Sequence, residues 1–187
     1  MTLLRGLLLS LVILGASCET KCSEPTPPPP VTWTECGGMI GDHPCNFSFK
    51  DQEGNDWDLY AHRGSVIVLD FSSMWCGYCK VAAADVQPIM DVYSSRGFIW
   101  VTVLIEDSSG NSVSVNEAKR WANEYGITSA PVLAADDSII DFSAEDGFPV
   151  GGWPTMAVIN REMIISQGIT GWNKQQMVEW IESELNG

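Results

Sequence analysis

The chain has 187 residues, and its charge and composition exclude several classes of function. Acidic residues outnumber basic ones by 24 to 10, and the formal net charge of −14 argues against binding to nucleic acid or adhesion to anionic lipid. The sequence carries no glycine-rich dinucleotide fingerprint, so we expect no bound cofactor. The 6 cysteines, in a chain that begins like an exported protein, indicate an oxidising compartment.

The first residues have the pattern of an export signal. Arg5 precedes the apolar stretch 7–14, and small residues lead to Cys18. We expect residues 1–17 to be a signal peptide, since the apolar stretch is too short to span a bilayer. Cleavage before Cys18 resembles the processing of a bacterial lipoprotein and predicts lipidation of Cys18, with simple secretion as the alternative.

A proline-rich segment separates this signal from the rest of the chain. Residues 24–30 read Glu-Pro-Thr-Pro-Pro-Pro-Pro, a composition that favours a stiff polyproline spacer. We interpret residues 18–35 as a lipid-anchored tether and residues 36–187 as one folded domain. A disordered N-terminus is the alternative. Within the tether, Cys22 is predicted to be unpaired, or bonded to Cys18 if no lipid is attached.

Two further cysteines flank the glycine-rich turn Gly-Gly-Met-Ile-Gly. Cys36 and Cys45 are predicted to form a structural disulfide that fixes the N-terminal segment. A weak metal site made by Cys36, His43 and Cys45 is the alternative.

The domain alternates strand and helix patterns. The spacing predicts strands near 46–50, 56–60, 65–72, 97–105, 131–135, 154–159 and 163–168, and helices near 77–95, 115–125 and 174–185. Capping boxes begin the last two helices. The acidic stretch 136–150 is interpreted as a solvated loop near the active face, with a calcium site as a weak alternative.

The motif Trp-Cys-Gly-Tyr-Cys-Lys directly follows the apolar strand 66–71. Two residues between Cys76 and Cys79 place both sulfurs on one helical turn, at a spacing that a disulfide can bridge. Unpaired N–H groups at the helix start favour the Cys76 thiolate, and Cys79 is expected to be the more shielded, resolving thiol. A zinc site or an inert disulfide is the alternative, although neither histidine has metal-finger spacing from this pair.

Asp70 lies six residues before Cys76 in the same apolar strand. Strand alternation puts Asp70 on the face shared by Val66 and Val68. Burial should raise the pKa of this carboxyl, and we predict that it accepts the proton of Cys79, directly or through water, during resolution. An Asp at a wet strand edge is the alternative.

A late Gly-Gly-Trp-Pro-Thr segment opens another apolar strand. Together with the dithiol motif and Asp70, Pro154 and Thr155 make the chain resemble the thioredoxin superfamily. Within it, the segment 47–59 resembles the N-terminal hairpin of the exported TlpA/ResA-type redoxins of the AhpC/TSA group, and residues 63–65 lead into the core strand as in those proteins. The resemblance covers about residues 47–185. It implies that the Trp153–Pro154 bond is cis, that this loop faces the sulfurs, and that the main chain of Trp153 pairs with substrate.

The resemblance also implies the fold. We expect a thioredoxin-like three-layer α/β domain with a central mixed sheet flanked by helices, an N-terminal β-hairpin and a central βα insertion. Trp75, Gly77 and Tyr78 are expected to contact the substrate, together with the prolyl loop. Tyr78 stands where relatives commonly have proline, and Pro88 lies one turn later than their usual helix proline.

Three functions are compatible with these features. The first is a cell-envelope thiol–disulfide oxidoreductase, by resemblance a reductase, acting on protein disulfides and reduced by an upstream membrane or periplasmic dithiol donor. The second is a thiol peroxidase, although no Thr or Arg lies close to Cys76 in the sequence. The third is a metallochaperone or docking module. We expect a monomer, held to the membrane only by a lipid anchor.

Overall fold

The computed structural model describes residues 28–187. The predicted signal peptide, Cys18 and Cys22 lie outside these residues, so the expectations for them are not tested. Within residues 28–187, no helix has both the length and the apolar character needed to cross a bilayer.

Among residues 28–187, seven strands form one mixed sheet; numbered along the chain, they lie across the sheet in the order second, first, fifth, fourth, third, sixth and seventh. Strands β3, β4 and β5 are parallel, whereas β6, β7 and the hairpin β1-β2 join the sheet in antiparallel pairings. The strands are β1 (Ser48–Lys50), β2 (Asp56–Asp58), β3 (Val66–Ser73), β4 (Phe98–Glu106), β5 (Val132–Ala134), β6 (Thr155–Ile159) and β7 (Ile165–Thr170). The predicted hairpin and the central βα insertion, which is the helix Val115–Glu124 followed by β5, are both present.

The part of the chain that the structure describes has three α-helices, and all pack into one apolar cluster on the same face of the sheet: α1 (Gly77–Tyr93), α2 (Val115–Glu124) and α3 (Lys174–Asn186). In α1 the buried residues recur at intervals of three and four, which is the period of one helical stripe. Pro88 lies within α1 on its exposed side without ending the helix. The predicted capping box at Ser114 and Glu117 begins α2.

The alternation predicted for β3 is confirmed. Val66 and Val68 belong to the cluster under the helices, whereas Ile67, Leu69 and Phe71 belong to a second cluster on the opposite face. That second face is covered by irregular chain instead of α-helices, which is a difference in detail from the flanking helices that we expected.

The N-terminal segment supplies part of this cover. The Trp33 ring stacks on His43 with 4.1 Å between centroids, and its indole N–H donates to the Tyr60 hydroxyl over 2.9 Å. Arg63 donates to the carbonyl of Pro29 over 2.6 Å. Packing against the sheet therefore begins upstream of the residue 36 boundary that we predicted.

The predicted Cys36–Cys45 disulfide is present, with 4.8 Å between the Cα atoms. The bonded sulfurs exclude the metal site considered for these residues, and the Nδ1 atom of His43 contacts the carbonyl of Met163 at 2.6 Å. The disulfide closes a loop, residues 36–45, whose main chain pairs with the start of β7 through Gly41 and Ile165.

The acidic stretch forms the rest of the cover, with a 3-10 turn at Asp137–Ile139. Ile139, Phe148 and Val150 are buried in the second cluster, so this stretch is only in part the solvated loop that we expected. A hydrogen bond joins the acidic stretch to the disulfide-closed loop: the N–H of Gly38 donates to the Ala144 carbonyl over 2.9 Å. A Cβ atom on Gly38 would collide with the carbonyl oxygen of Gly147, so only glycine allows this approach.

The topology brings three segments to one edge of the sheet. Strands β3 and β4 are parallel, so their carboxyl ends lie together, and Phe71 near the end of β3 pairs with Thr155 at the start of β6. The loop that leads into α1 therefore emerges beside the prolyl loop.

Candidate active site

Cys76 is the N-cap residue of α1, with extended backbone angles of −75° and 122°. Its sulfur accepts a hydrogen bond from the N–H of Cys79 over 3.1 Å. This N–H is one of those that a helix start leaves without a partner inside the helix, and the helix dipole places partial positive charge at the same point. Both effects stabilise negative charge on Cys76 more than on Cys79.

The two cysteines form a disulfide, with 5.3 Å between their Cα atoms. Cys76 is 5% exposed and Cys79 is fully buried, so the order of shielding is the predicted one. The exposed side chains beside them are Trp75 and Tyr78, at 51% and 70%. An incoming partner therefore meets these two rings and the open space around Gly77 before it reaches the sulfur of Cys76.

Trp75 is held in place by a residue that the sequence did not single out. Its indole N–H donates to the carboxylate of Glu106 over 2.7 Å, and the carbonyl of Glu106 accepts from the N–H of Met74. Glu106 lies at the end of β4, far along the chain from the motif, and the motif alone carried no signal for this contact.

Asp70 is buried at 1% exposure on the helix-covered face. Burial raises its pKa to about 6, although hydrogen bonds from neighbouring polar side chains, first among them Ser72, act in the opposite direction. The Ser72 hydroxyl donates to one carboxylate oxygen over 2.6 Å, and the Thr102 hydroxyl lies 3.5 Å from the other. The alternative interpretation, an Asp70 in contact with water at a strand edge, is therefore wrong, whereas the predicted rise in its pKa is confirmed.

The carboxylate of Asp70 makes no hydrogen bond to either cysteine within residues 28–187. Asp70 and Cys79 nevertheless belong to the same side of the sheet, because Val66 and Val68 on the face of Asp70 share a cluster with Cys79. Of the two routes that we predicted for the proton of Cys79, this arrangement favours the one through water.

Two more buried polar atoms lie close to this acid in sequence and register. The hydroxyl of Ser73 has no hydrogen-bond partner among the described residues; the indole nitrogen of Trp100 has none within ordinary hydrogen-bond geometry there either, but it faces Asp70 closely enough to lower the pKa of that carboxyl. Trp100 lies on β4, two residues before the Thr102 that pairs with Asp70. Buried polar atoms of this kind are the usual partners of an ordered water molecule.

The Trp153–Pro154 bond is cis, as the resemblance implied. No loop hydrogen bond within residues 28–187 uses the main chain of Trp153, which leaves it available to an extended partner segment. The Thr155 hydroxyl donates to the Gly152 carbonyl over 2.8 Å, so Thr155 closes this loop on itself. Its hydroxyl is therefore engaged within the protein, and its contact with substrate stays a prediction.

We predict that Ser72 adjusts the acidity of Asp70. Removing its hydroxyl in Ser72→Ala deletes a hydrogen bond that favours the charged carboxylate, so the pKa of Asp70 should rise further and the pH profile of disulfide exchange should move upward by about one pH unit. Ser94→Ala is the control, since this exposed serine follows the last residue of α1, at the opposite end of that helix from Cys76. Equal pH profiles for the two variants would contradict this role of Ser72.

The fold and this site together define a thioredoxin-like thiol–disulfide oxidoreductase: a dithiol at a helix start, a buried acid behind it and a cis-prolyl loop beside it. The AhpC/TSA family model matches residues 40–167, and the chain belongs to that family.

Curated relatives include thiol-disulfide oxidoreductases named ResA. The one from Bacillus anthracis is 24% identical over 141 residues, which are 75% of each chain. The one from Bacillus subtilis (strain 168) is 25% identical over 133 residues, 71% of this chain and 68% of the relative.

Solved structures show the same fold. A thiol:disulfide interchange protein of the thioredoxin family from Chlorobium tepidum TLS superposes with a TM-score of 0.63 at 20% identity, covering 83% of this chain and 99% of that one. An exposed lipoprotein thioredoxin from Streptococcus pneumoniae strain TIGR4 has a TM-score of 0.58 at 20% identity, covering 74% and 99%.

Proposed function

We propose that this protein is an exported reductase of protein disulfides in the bacterial cell envelope. The observation that carries the proposal is the Cys76–Cys79 pair at the start of α1, with Cys76 at the more accessible position and a cis-prolyl loop at the same edge of the sheet. Electron exchange between protein dithiols and disulfides needs an accessible thiolate with a second thiol beside it, and this pair supplies both.

The reaction is a pair of sulfur exchanges. The Cys76 thiolate attacks one sulfur of the partner's disulfide, which forms a mixed disulfide and releases the other partner sulfur as a thiolate that takes up a proton. Cys79 loses its proton toward Asp70, attacks the Cys76 sulfur and releases the second partner thiol. The partner gains two electrons and this protein keeps the disulfide, which an upstream dithiol donor then reduces.

The surroundings of Cys76 favour the reducing direction. Its sulfur accepts a hydrogen bond from a main-chain N–H, and no Lys, Arg or His side chain within residues 28–187 hydrogen bonds to it. The buried carboxylate of Asp70 on the same side of the sheet adds negative charge, which disfavours a second anion nearby. A dithiol whose thiolate is only modestly stabilised holds its electrons less tightly than that of a strong oxidant.

Export and anchoring rest on the sequence and on two supporting observations. The Cys36–Cys45 disulfide fits an oxidising compartment. One structural neighbour is described as an exposed lipoprotein thioredoxin. We propose that residues 1–17 are removed, that Cys18 carries the lipid, and that the protein acts as a monomer facing the periplasmic side of a membrane.

The test is the equilibrium of the Cys76/Cys79 pair against glutathione buffers, read by mass spectrometry after alkylation with the Cys36–Cys45 bond monitored separately. A reductase should give a potential near the thioredoxin value of about −270 mV. A value near about −120 mV, that of a strong oxidant, would assign the protein to disulfide formation instead.

A further inference from the structure

A groove on the second face of the sheet begins beside the prolyl loop. Its volume is about 230 Å³. Thr155 at the start of β6 pairs with Thr170 at the end of β7, and these two residues line the end of the groove that is nearest the prolyl loop. The groove therefore opens at the edge of the sheet where the dithiol lies, but on the face opposite α1.

Small residues form the floor of the groove, and large apolar ones form its walls. Ala157 and Gly168 pair across β6 and β7 and leave the floor open. The disulfide-closed loop contributes Met39 and Ile40, and the acidic stretch contributes Phe148. Met39 and Ile40 are 57% and 63% exposed, so two large apolar side chains stand in solvent beside an apolar cleft.

The walls are held rigidly rather than left to collapse into the groove. The Cys36–Cys45 bond closes one wall loop, and the carboxylate of Asp42 accepts the N–H of Met39 over 3.0 Å. In the other wall, Asp141 accepts main-chain N–H groups of Glu145 and Asp146 at 2.9 and 3.0 Å. Such bonds, the one from Asp146 foremost, lower the pKa of Asp141 to about 2.

The charge of the walls is one-sided. The stretch 136–150 contains five acidic residues and no lysine or arginine, and the loop 36–45 contains Asp42 and no lysine or arginine. Glu145 and Asp146 are exposed, and they directly follow Ala144, whose carbonyl accepts the N–H of Gly38 in the groove lining; we call this acidic pair the rim. An apolar cleft between acidic walls is complementary to a segment that carries a bulky apolar side chain with basic residues beside it.

We propose that this groove is a specificity subsite for the protein whose disulfide is exchanged, and this rests on the proposed function. The occupant is an extended segment of that partner, which passes from its cysteine over the main chain of Trp153 and places one large apolar side chain between Met39, Ile40 and Phe148. Basic residues of the same segment face the acidic rim.

The probe is a set of synthetic peptides, each with one cysteine bonded to thionitrobenzoate in a lysine- and serine-containing background. A leucine occupies one of the four positions on either side of the cysteine, and the reference peptide has serine there. The full chain is used with Cys76 and Cys79 reduced and Cys36–Cys45 intact, and the Cys76→Ser variant supplies the blank for the other cysteines. The release of thionitrobenzoate gives the second-order rate constant.

The expected result is a leucine position at which the wild-type protein reacts about tenfold faster than with the serine peptide, the effect of burying most of one aliphatic side chain. Gly168→Val should remove this preference by filling the floor, because a Cβ there meets only ordinary contact with the Met156 carbonyl at 3.4 Å. Ile40→Ser should reduce it, and Val92→Ser, which alters an equally exposed residue on the outer side of α1, should leave it unchanged.

Other outcomes overturn the proposal in distinguishable ways. If every peptide reacts at one rate, or if Gly168→Val keeps the leucine preference, the groove is not the subsite. If sedimentation shows a dimer that Ile40→Ser dissociates, the groove holds a second copy of this chain instead. If neither the peptides nor free dithiobis(nitrobenzoate) reacts above the Cys76→Ser blank, the proposed function itself fails.

Discussion

Cys76→Ser is expected to lower the rate of protein-disulfide reduction by a thousandfold or more, to the level without protein. The hydroxyl of serine is a far weaker nucleophile at neutral pH than a thiolate at a helix start, and losing a covalent nucleophile costs on the order of 10³ to 10⁶ in rate. The measurement is reduction of insulin with dithiothreitol as the electron donor.

Cys79→Ser separates the two halves of the reaction. The first attack by Cys76 should remain, but resolution should stop, so that a mixed disulfide with the substrate accumulates and is seen by mass spectrometry without reductant. Full turnover by Cys79→Ser, or attack by Cys79 in the Cys76→Ser variant at the wild-type rate, would contradict the assigned roles. Because serine is close to cysteine in size, the variant should keep the fold around this fully buried position, which circular dichroism checks.

Asp70→Asn is expected to change both the stability and its dependence on pH. Burial raises the pKa of Asp70 from 3.8 to about 6, so the folded state binds this proton more tightly than the unfolded state does. The free energy of unfolding therefore falls as the pH rises from about 4 to about 6, and the loss persists above that window. It amounts to roughly 3 kcal/mol at neutral pH, because each pKa unit corresponds to about 1.4 kcal/mol.

The Asp70→Asn variant carries no titrating group at this position. Its difference from wild type in urea unfolding should therefore grow from about pH 4 to about pH 6 and stay constant above, with the variant the more stable protein at neutral pH. The same variant should resolve mixed disulfides about a hundredfold more slowly at neutral pH, since the proton acceptor for Cys79 is gone. Parallel stability curves for the two proteins across this window would show that Asp70 is not the buried acid described above.

In Asp70→Asn, the expected gain in stability at neutral pH and the expected loss of resolution rate therefore have opposite value for the protein. A charged group in the core that costs stability at the working pH is kept only where another property needs it. Ser72 and Thr102 reduce that cost by bonding the carboxylate without neutralising it. Burial outweighs these bonds and raises the pKa of Asp70 to about 6, close to the pH at which a group that accepts and returns a proton is most effective.

The sequence by itself determined the local features of this protein. Alternation in β3 put Asp70 on the helix-covered face, the spacing of Cys76 and Cys79 on one helical turn predicted the dithiol, and the short glycine-rich turn predicted the Cys36–Cys45 bond. Each of these depends on residues close together in the chain, where the period of a strand or helix, or the reach of a short loop, already defines which side chains can meet. The cis-prolyl bond came from resemblance, because Pro154 alone did not indicate it.

Only the tertiary structure decided which distant segments meet. Glu106 reaches Trp75 across β4 and β3, and the disulfide-closed loop meets the acidic stretch, far along the chain, through Gly38 and Ala144. The five carboxylates of the acidic stretch, with its glycine and proline, predict a solvated loop, yet its buried Phe148 covers the second face of the sheet. Strand order and crossover connections set these contacts, and no local period in the sequence encodes them.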